Sequence, residues 1–140
     1  MKRLVFYLTV AGLILGAVSA QAAGVKVIAN PSVTANSVSA EELRNVFLQT
    51  SSSLSDGSHV QPVLAKGGAA HQAFLKEYLG KSESALQMYY RSLVFTGKAS
   101  MPKEVASDAE IVAYVAKTKG AIGYVSADAG TTGVKTLVVK

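Results

Sequence analysis

Apolar residues recur along this chain at two spacings, and turn residues close each stretch. Val25-Lys26-Val27-Ile28-Ala29 is a short β-like run that ends at Asn30-Pro31. Ser39-Ala40-Glu41-Glu42 has the form of a capping box, a Ser that caps a helix start with a Glu three residues on. Leu43, Val46 and Phe47 follow at helical spacing and predict a helix to about Leu48. Residues 49–58 are Ser-rich, end in Asp56-Gly57 and predict a surface loop. Val60-Gln61-Pro62-Val63-Leu64 is a second strand candidate, and its proline assigns it to a sheet edge or makes it a strand start.

After the Gly67-Gly68 turn, Phe74, Leu75, Tyr78 and Leu79 share one face of a helix expected over residues 69–79, with Gly80 as its stop. Ser82 caps a third helix, with Leu86, Tyr89, Tyr90, Leu93 and Val94 as its apolar positions. Residues 96–102 predict a loop. Ser107-Asp108-Ala109-Glu110 is a second capping box, Ile111, Val112 and Val115 face inward, and the cations at 117–119 suit the negative end of that helix. Ala121-Ile122-Gly123-Tyr124-Val125 and residues 134–139 predict the last two strands. The order is β-α-β-α-α-α-β-β, an α/β domain with no repeats, heptads or internal linker. Tyr78, Tyr89, Tyr90, Tyr114 and Tyr124 fall mostly at core-facing spacing and predict packing residues whose hydroxyls reach the surface.

The chain is 140 residues long, room for one domain. Its start changes the picture. Lys2 and Arg3 precede an apolar run over residues 4–18, and Val18-Ser19-Ala20 and Ala20-Gln21-Ala22 both fit the small-x-small pattern of signal peptidase sites. Residues 1–22 are therefore expected to be a cleaved secretory signal, leaving 23–140 as one exported domain. Without cysteine, disulfides, thiol catalysis and Cys-ligated metals are excluded. The net charge of +5, which falls by two with Lys2 and Arg3, is scattered rather than interleaved with aromatics. A nucleic-acid partner is not expected, whereas a small anion or an acidic partner suits a mildly positive surface.

The candidate chemistry lies in loops. Lys66-Gly67-Gly68-Ala69-Ala70-His71 joins a strand to a helix. Free backbone N–H groups at a helix start attract anions, and Lys66 and His71 could add charge. The same residues also read as a tight turn whose N–H groups bind water. They lack the spacing of a P-loop. Thr96, Gly97 and Lys98 form a second loop with a hydroxyl and a cation, solvated or able to reach an anion. The Asp56 carboxylate is either part of a turn or an acceptor for a protonated oxyanion. His59 and His71 are the only histidines, and each reads first as a surface or turn residue. No nucleophile elbow or metal-ligand spacing occurs, so no catalytic residue, metal or cofactor is assigned and an enzyme is not expected.

Taken in order, Ser39-Ala40-Glu41-Glu42-Leu43-Arg44-Asn45-Val46-Phe47-Leu48, Ser55-Asp56-Gly57, Val60-Gln61-Pro62-Val63, the glycine turn and Phe74-Leu75 make a recognisable set. Val112-Ala113-Tyr114-Val115-Ala116-Lys117-Thr118-Lys119-Gly120-Ala121-Ile122-Gly123-Tyr124-Val125 completes it. The set resembles the phosphate-type substrate-binding proteins of bacterial ABC transporters, over about residues 25–138. The resemblance implies a single lobe of the type II periplasmic-binding-protein fold, a small mixed sheet flanked by about four helices. It also implies a periplasmic location, phosphate or a related oxyanion as ligand and a membrane transporter as partner. In that family the phosphate helix starts with Ser-Gly-Thr after an Arg. Here the turn is Gly68-Ala69-Ala70, and Leu64 stands near the Arg position. Two readings follow: a solute-binding protein, whose open cleft a second copy of the chain could complete, or a periplasmic interaction or sensory accessory domain without the ligand.

Overall fold

The computed structural model describes residues 24–140, so the expected signal segment lies outside the described residues. The strands are β1 (Val25–Ala29), β2 (Ser37–Val38), β3 (Gln61–Ala65), β4 (Lys103–Val105), β5 (Ala121–Ser126) and β6 (Lys135–Val139). The helices are α1 (Ala40–Phe47), α2 (Ala69–Phe74), α3 (Glu83–Phe95) and α4 (Asp108–Lys117), and α2 runs on as a π-helical segment over Leu75–Leu79. One mixed sheet has the order β2-β6-β1-β5-β3-β4. β1 lies antiparallel to both β5 and β6, while β3 runs parallel to β4 and β5.

β5 is a continuous apolar run because helices cover both its faces. Neighbouring residues of a strand point to opposite sides, and Gly123 and Tyr124 use this to meet different helices. At Gly123, an added Cβ would stand 3.0 Å from Ile111 and 3.5 Å from Val115, so α4 lies directly on the strand. On the other face Tyr124 stacks on Phe74 of α2, ring centroids 3.9 Å apart, and Phe47 of α1 meets Phe74 edge-on at 4.8 Å. Tyr90 brings in α3: buried, it donates from its hydroxyl to the Phe47 carbonyl at 2.6 Å. Asn30, just past β1, is buried with its amide donating to the Val115 carbonyl at 2.8 Å, which satisfies an orphan carbonyl at the end of α4.

The expected caps form. Ser39, Ser82 and Ser107 each accept from an N–H in the first turn of the helix they precede. Gly80 ends the π-helical segment in the left-handed conformation, and Pro62 stands at the start of β3.

Three expectations are corrected. β2 and β4 are additional strands, two and three residues long, too short to leave a period in the sequence. The hydroxyls of Tyr90 and Tyr124 end inside the protein, because each finds a partner there. Val94 lies outside the core: it is exposed in the last turn of α3 beside Phe95, which is 93% exposed.

Phe74 touches the rings of Phe47, Tyr78 and Tyr124. Phe74→Ala should therefore lower unfolding free energy by about 3–5 kcal/mol, the range for emptying an aromatic core position. Phe95→Ala should stay within about 0.5 kcal/mol of the parent. Urea denaturation of both variants checks the contrast.

Candidate functional site

The chain leaves β3 at Ala65 and turns through Lys66, Gly67 and Gly68, all exposed, into α2. The Lys66 N–H donates to the Val105 carbonyl, which pins the turn to the end of β4. Gly68 has φ 98° and ψ 170°, a conformation that L side chains rarely adopt, so the turn requires glycine there. It also leaves α2 without a side-chain cap. The first bond of this helix runs from the Gln72 N–H to the Gly68 carbonyl at 3.1 Å. The N–H groups of Ala69, Ala70 and His71 precede that bond and have no intrahelical partner. No acidic residue occupies the first turn, so the positive end of α2 faces outward without a carboxylate of its own turn.

His71 does not join them at the surface. Its side chain is 2% exposed and turned inward, which corrects its reading as a surface or turn residue. The cause is Tyr124. The Ala65 N–H donates to the Tyr124 oxygen at 3.1 Å, so the phenol's own proton is directed to His71 Nδ1. His71 Nε2 then carries the remaining proton and donates to the Glu83 carboxylate at the start of α3. Gln87 extends the chain of bonds, its amide donating to both Glu83 and Glu104 at 3.1 Å. Burial pushes the Tyr124 and Tyr90 hydroxyls well above the ordinary tyrosine range.

The second predicted loop divides. The Thr96 hydroxyl donates to the Ser92 carbonyl at 2.8 Å and closes α3, and Gly97 continues that turn with a positive φ. Lys98 alone reaches a cavity of about 510 Å³, which it shares with His59 and the first residues of β3. Lys66 follows the last residue of β3, whereas the cavity that Lys98 lines meets β3 at Gln61, Pro62 and Val63. The fold does not bring the two predicted anion loops together.

Asp56 is held by its own chain. Its carboxylate accepts from the Ser58 N–H at 2.9 Å, from the Thr34 hydroxyl at 2.7 Å and from the Ser58 hydroxyl at 2.9 Å. These bonds, the Ser58 N–H first, hold its carboxyl below the usual carboxylate range. Sequence reading did not single out Gln49, Lys103 and Tyr114, which line the cavity with Lys98. They come from three separate elements, and no local spacing links them.

No family model matches the chain, and no curated protein matches it. Solved structures do. An ABC-type phosphate transport receptor from Vibrio cholerae aligns at TM-score 0.54 and 12% identity, over 83% of this chain and 46% of that one. A phosphate ABC transporter substrate-binding protein from Clostridium perfringens, with bound phosphate, aligns at TM-score 0.62 and 16% identity, over 83% and 44%. PstS from Borrelia burgdorferi aligns at 0.58 and 13%, over 84% and 47%. The chain spans less than half the length of these proteins.

The raised hydroxyls of Tyr90 and Tyr124 give a pH dependence with a definite sign. From about pH 10, the ordinary tyrosine value, the unfolded chain releases phenolic protons that the fold retains. Stability is thus full below pH 10 and falls as pH rises toward the folded-state values. Denaturation midpoints between pH 8 and 11 should show this fall (a range set by the ordinary tyrosine pKa of about 10). Tyr124→Phe should make it shallower, while costing about 1–3 kcal/mol at neutral pH by unpairing the Ala65 N–H and His71 Nδ1.

The mixed six-stranded sheet with its four helices has the periplasmic-binding-protein fold, shared over 83% of this chain with part of the Vibrio cholerae and Clostridium perfringens structures.

Proposed function

We propose that residues 23–140 form an exported solute-binding lobe that takes phosphate or a related small oxyanion at the start of α2 and works in the periplasm with a membrane transporter. Binding, not turnover, is the activity assigned. The observation that carries this reading is the uncapped start of α2, where Gly68 opens the way to the N–H groups of Ala69 and Ala70 beside the exposed Lys66. The other three helices start under serine caps. The structures that share this fold include a phosphate transport receptor and a substrate-binding protein with bound phosphate, which supports the same ligand class.

Physical chemistry sets the expected strength. An oxyanion here would gain backbone N–H bonds, the helix dipole and one lysine. It would lack a guanidinium and hydroxyls, since Leu64 and Ala69-Ala70 stand where the family resemblance expects them. On an open surface, water and salt screen what remains. A second copy of the chain closing over the turn would reduce that screening.

Calorimetric titration with inorganic phosphate at low salt should give saturable heat with Kd between about 1 μM and 1 mM. Ala69→Asp places a carboxylate in the first turn, which suits the helix dipole and repels an anion; it should keep the fold and remove the heat. Gly68→Val should remove it by straining the turn. Unchanged affinity in Ala69→Asp would sink the site, and silence of the parent up to about 10 mM would sink the ligand class.

A second reading, an accessory domain that binds a protein partner and no small ligand, is favoured by the apolar side chains that α3 leaves in water: Met88, Val94 and Phe95. A photo-crosslinking residue at position 95 tests it in living cells. Under this reading it captures an envelope protein even when phosphate titration is silent; capture of nothing defeats it.

A further inference from the structure

The cavity at the other end of β3 has a chemistry of its own. At about 510 Å³ it falls within the size range of small-molecule sites. Its lining contains Lys98, Lys103 and His59 but no Asp or Glu. Among the described residues, no Asp or Glu carboxylate lies within ion-pair distance of either lysine. No group of three or more His, Asp or Glu side chains gathers there or elsewhere among the described residues. The electrostatics thus favour an anion over a cation.

The remaining wall is mixed: Thr50, Ser51, Ser52, Gln61 and Ser100 stand beside an apolar patch. Pro62, Met101 and Tyr114 line the cavity, and the Lys103 ammonium lies 5.5 Å from the centroid of the Tyr114 ring, within cation–π range. A bare inorganic ion would leave this surface in water. One residue holds the two sides in register. Gln49 is the non-glycine residue with positive φ, 57°, among those described. Its side-chain amide donates to the Ser100 carbonyl at 2.8 Å, tying the end of α1 to the 98–102 loop. Its left-handed backbone closes α1, with the Gln49 N–H donating to the Val46 carbonyl and the Thr50 N–H to the Asn45 carbonyl.

We propose that this cavity binds a small amphiphilic organic anion, with its phosphate or carboxylate head on Lys98 and Lys103 and its apolar body against Pro62, Met101 and Tyr114. The site is separate from the start of α2, so either can exist without the other.

Phenyl phosphate is a suitable probe, titrated into the ¹⁵N-labelled protein by NMR. It should shift the amides of Gln49, Ser51, Lys98 and Ser100 saturably. Inorganic phosphate and benzyl alcohol should each act at least about tenfold more weakly at those amides, because each offers half of the recognised chemistry. Lys98→Ala with Lys103→Ala should weaken phenyl phosphate about tenfold, and the paired arginine variant should retain it. Both lysines are exposed, so the fold should tolerate these changes. Three results would overturn the proposal: shifts confined to Ala69, Ala70 and His71; benzyl alcohol acting as strongly as phenyl phosphate; or no saturable change at the cavity amides up to about 10 mM. The response of the α2 amides to inorganic phosphate reports on the oxyanion reading separately.

Discussion

A buried phenol must satisfy its hydroxyl or carry the cost of an unpaired polar group, and Tyr124 meets that requirement at the centre of this domain. Its ring stacks on Phe74, while its oxygen accepts from the Ala65 N–H and hands a proton to His71. One side chain of β5 thereby fixes the end of β3, the start of α2 and, through His71 and Glu83, the start of α3. The neighbouring Gly123 keeps the opposite face flat enough for Ile111 and Val115 of α4. Two consecutive residues set the spacing of both helix layers.

The same anchoring decides what the glycine turn can offer a ligand. Drawing His71 inward withdraws the imidazole from the turn and brings Glu83 under it, with Glu104 one hydrogen-bonded amide further on. The turn keeps its backbone donors and Lys66. Recognition there is therefore dipolar more than ionic, which suits an anion that dissociates readily.

The two ends of β3 are built differently. Its C-terminal end opens onto a helix start with backbone N–H groups and little wall. Its N-terminal end opens onto a half-open cavity whose walls come from α1, β3, β4, α4 and the 98–102 loop. The first can hold a small ion by its charge alone. The second has the apolar surface to hold an organic body as well.

Much of the fold was legible in the sequence because its causes are local. Serine caps, left-handed glycines and helical spacing act within a few residues, so Ser39, Ser82, Ser107 and Gly80 marked real boundaries. The uncapped Gly68 start of α2 was legible for the same reason. β2 and β4 were not, since strands of two or three residues form only when a neighbouring strand supplies their hydrogen bonds. Nor was the burial of His71: an imidazole looks the same in a sequence whether water or Tyr124 receives it. The cavity was illegible for a further reason, since Gln49, Lys98 with Lys103, and Tyr114 belong to separate segments that meet only when the sheet and α4 close together. The sequence by itself determined the helices, the longer strands and the exposed glycine turn, whose causes are contained within short stretches of chain. Only the tertiary structure decided which polar groups face water and which face each other, because burial belongs to the assembled layers and not to any one segment.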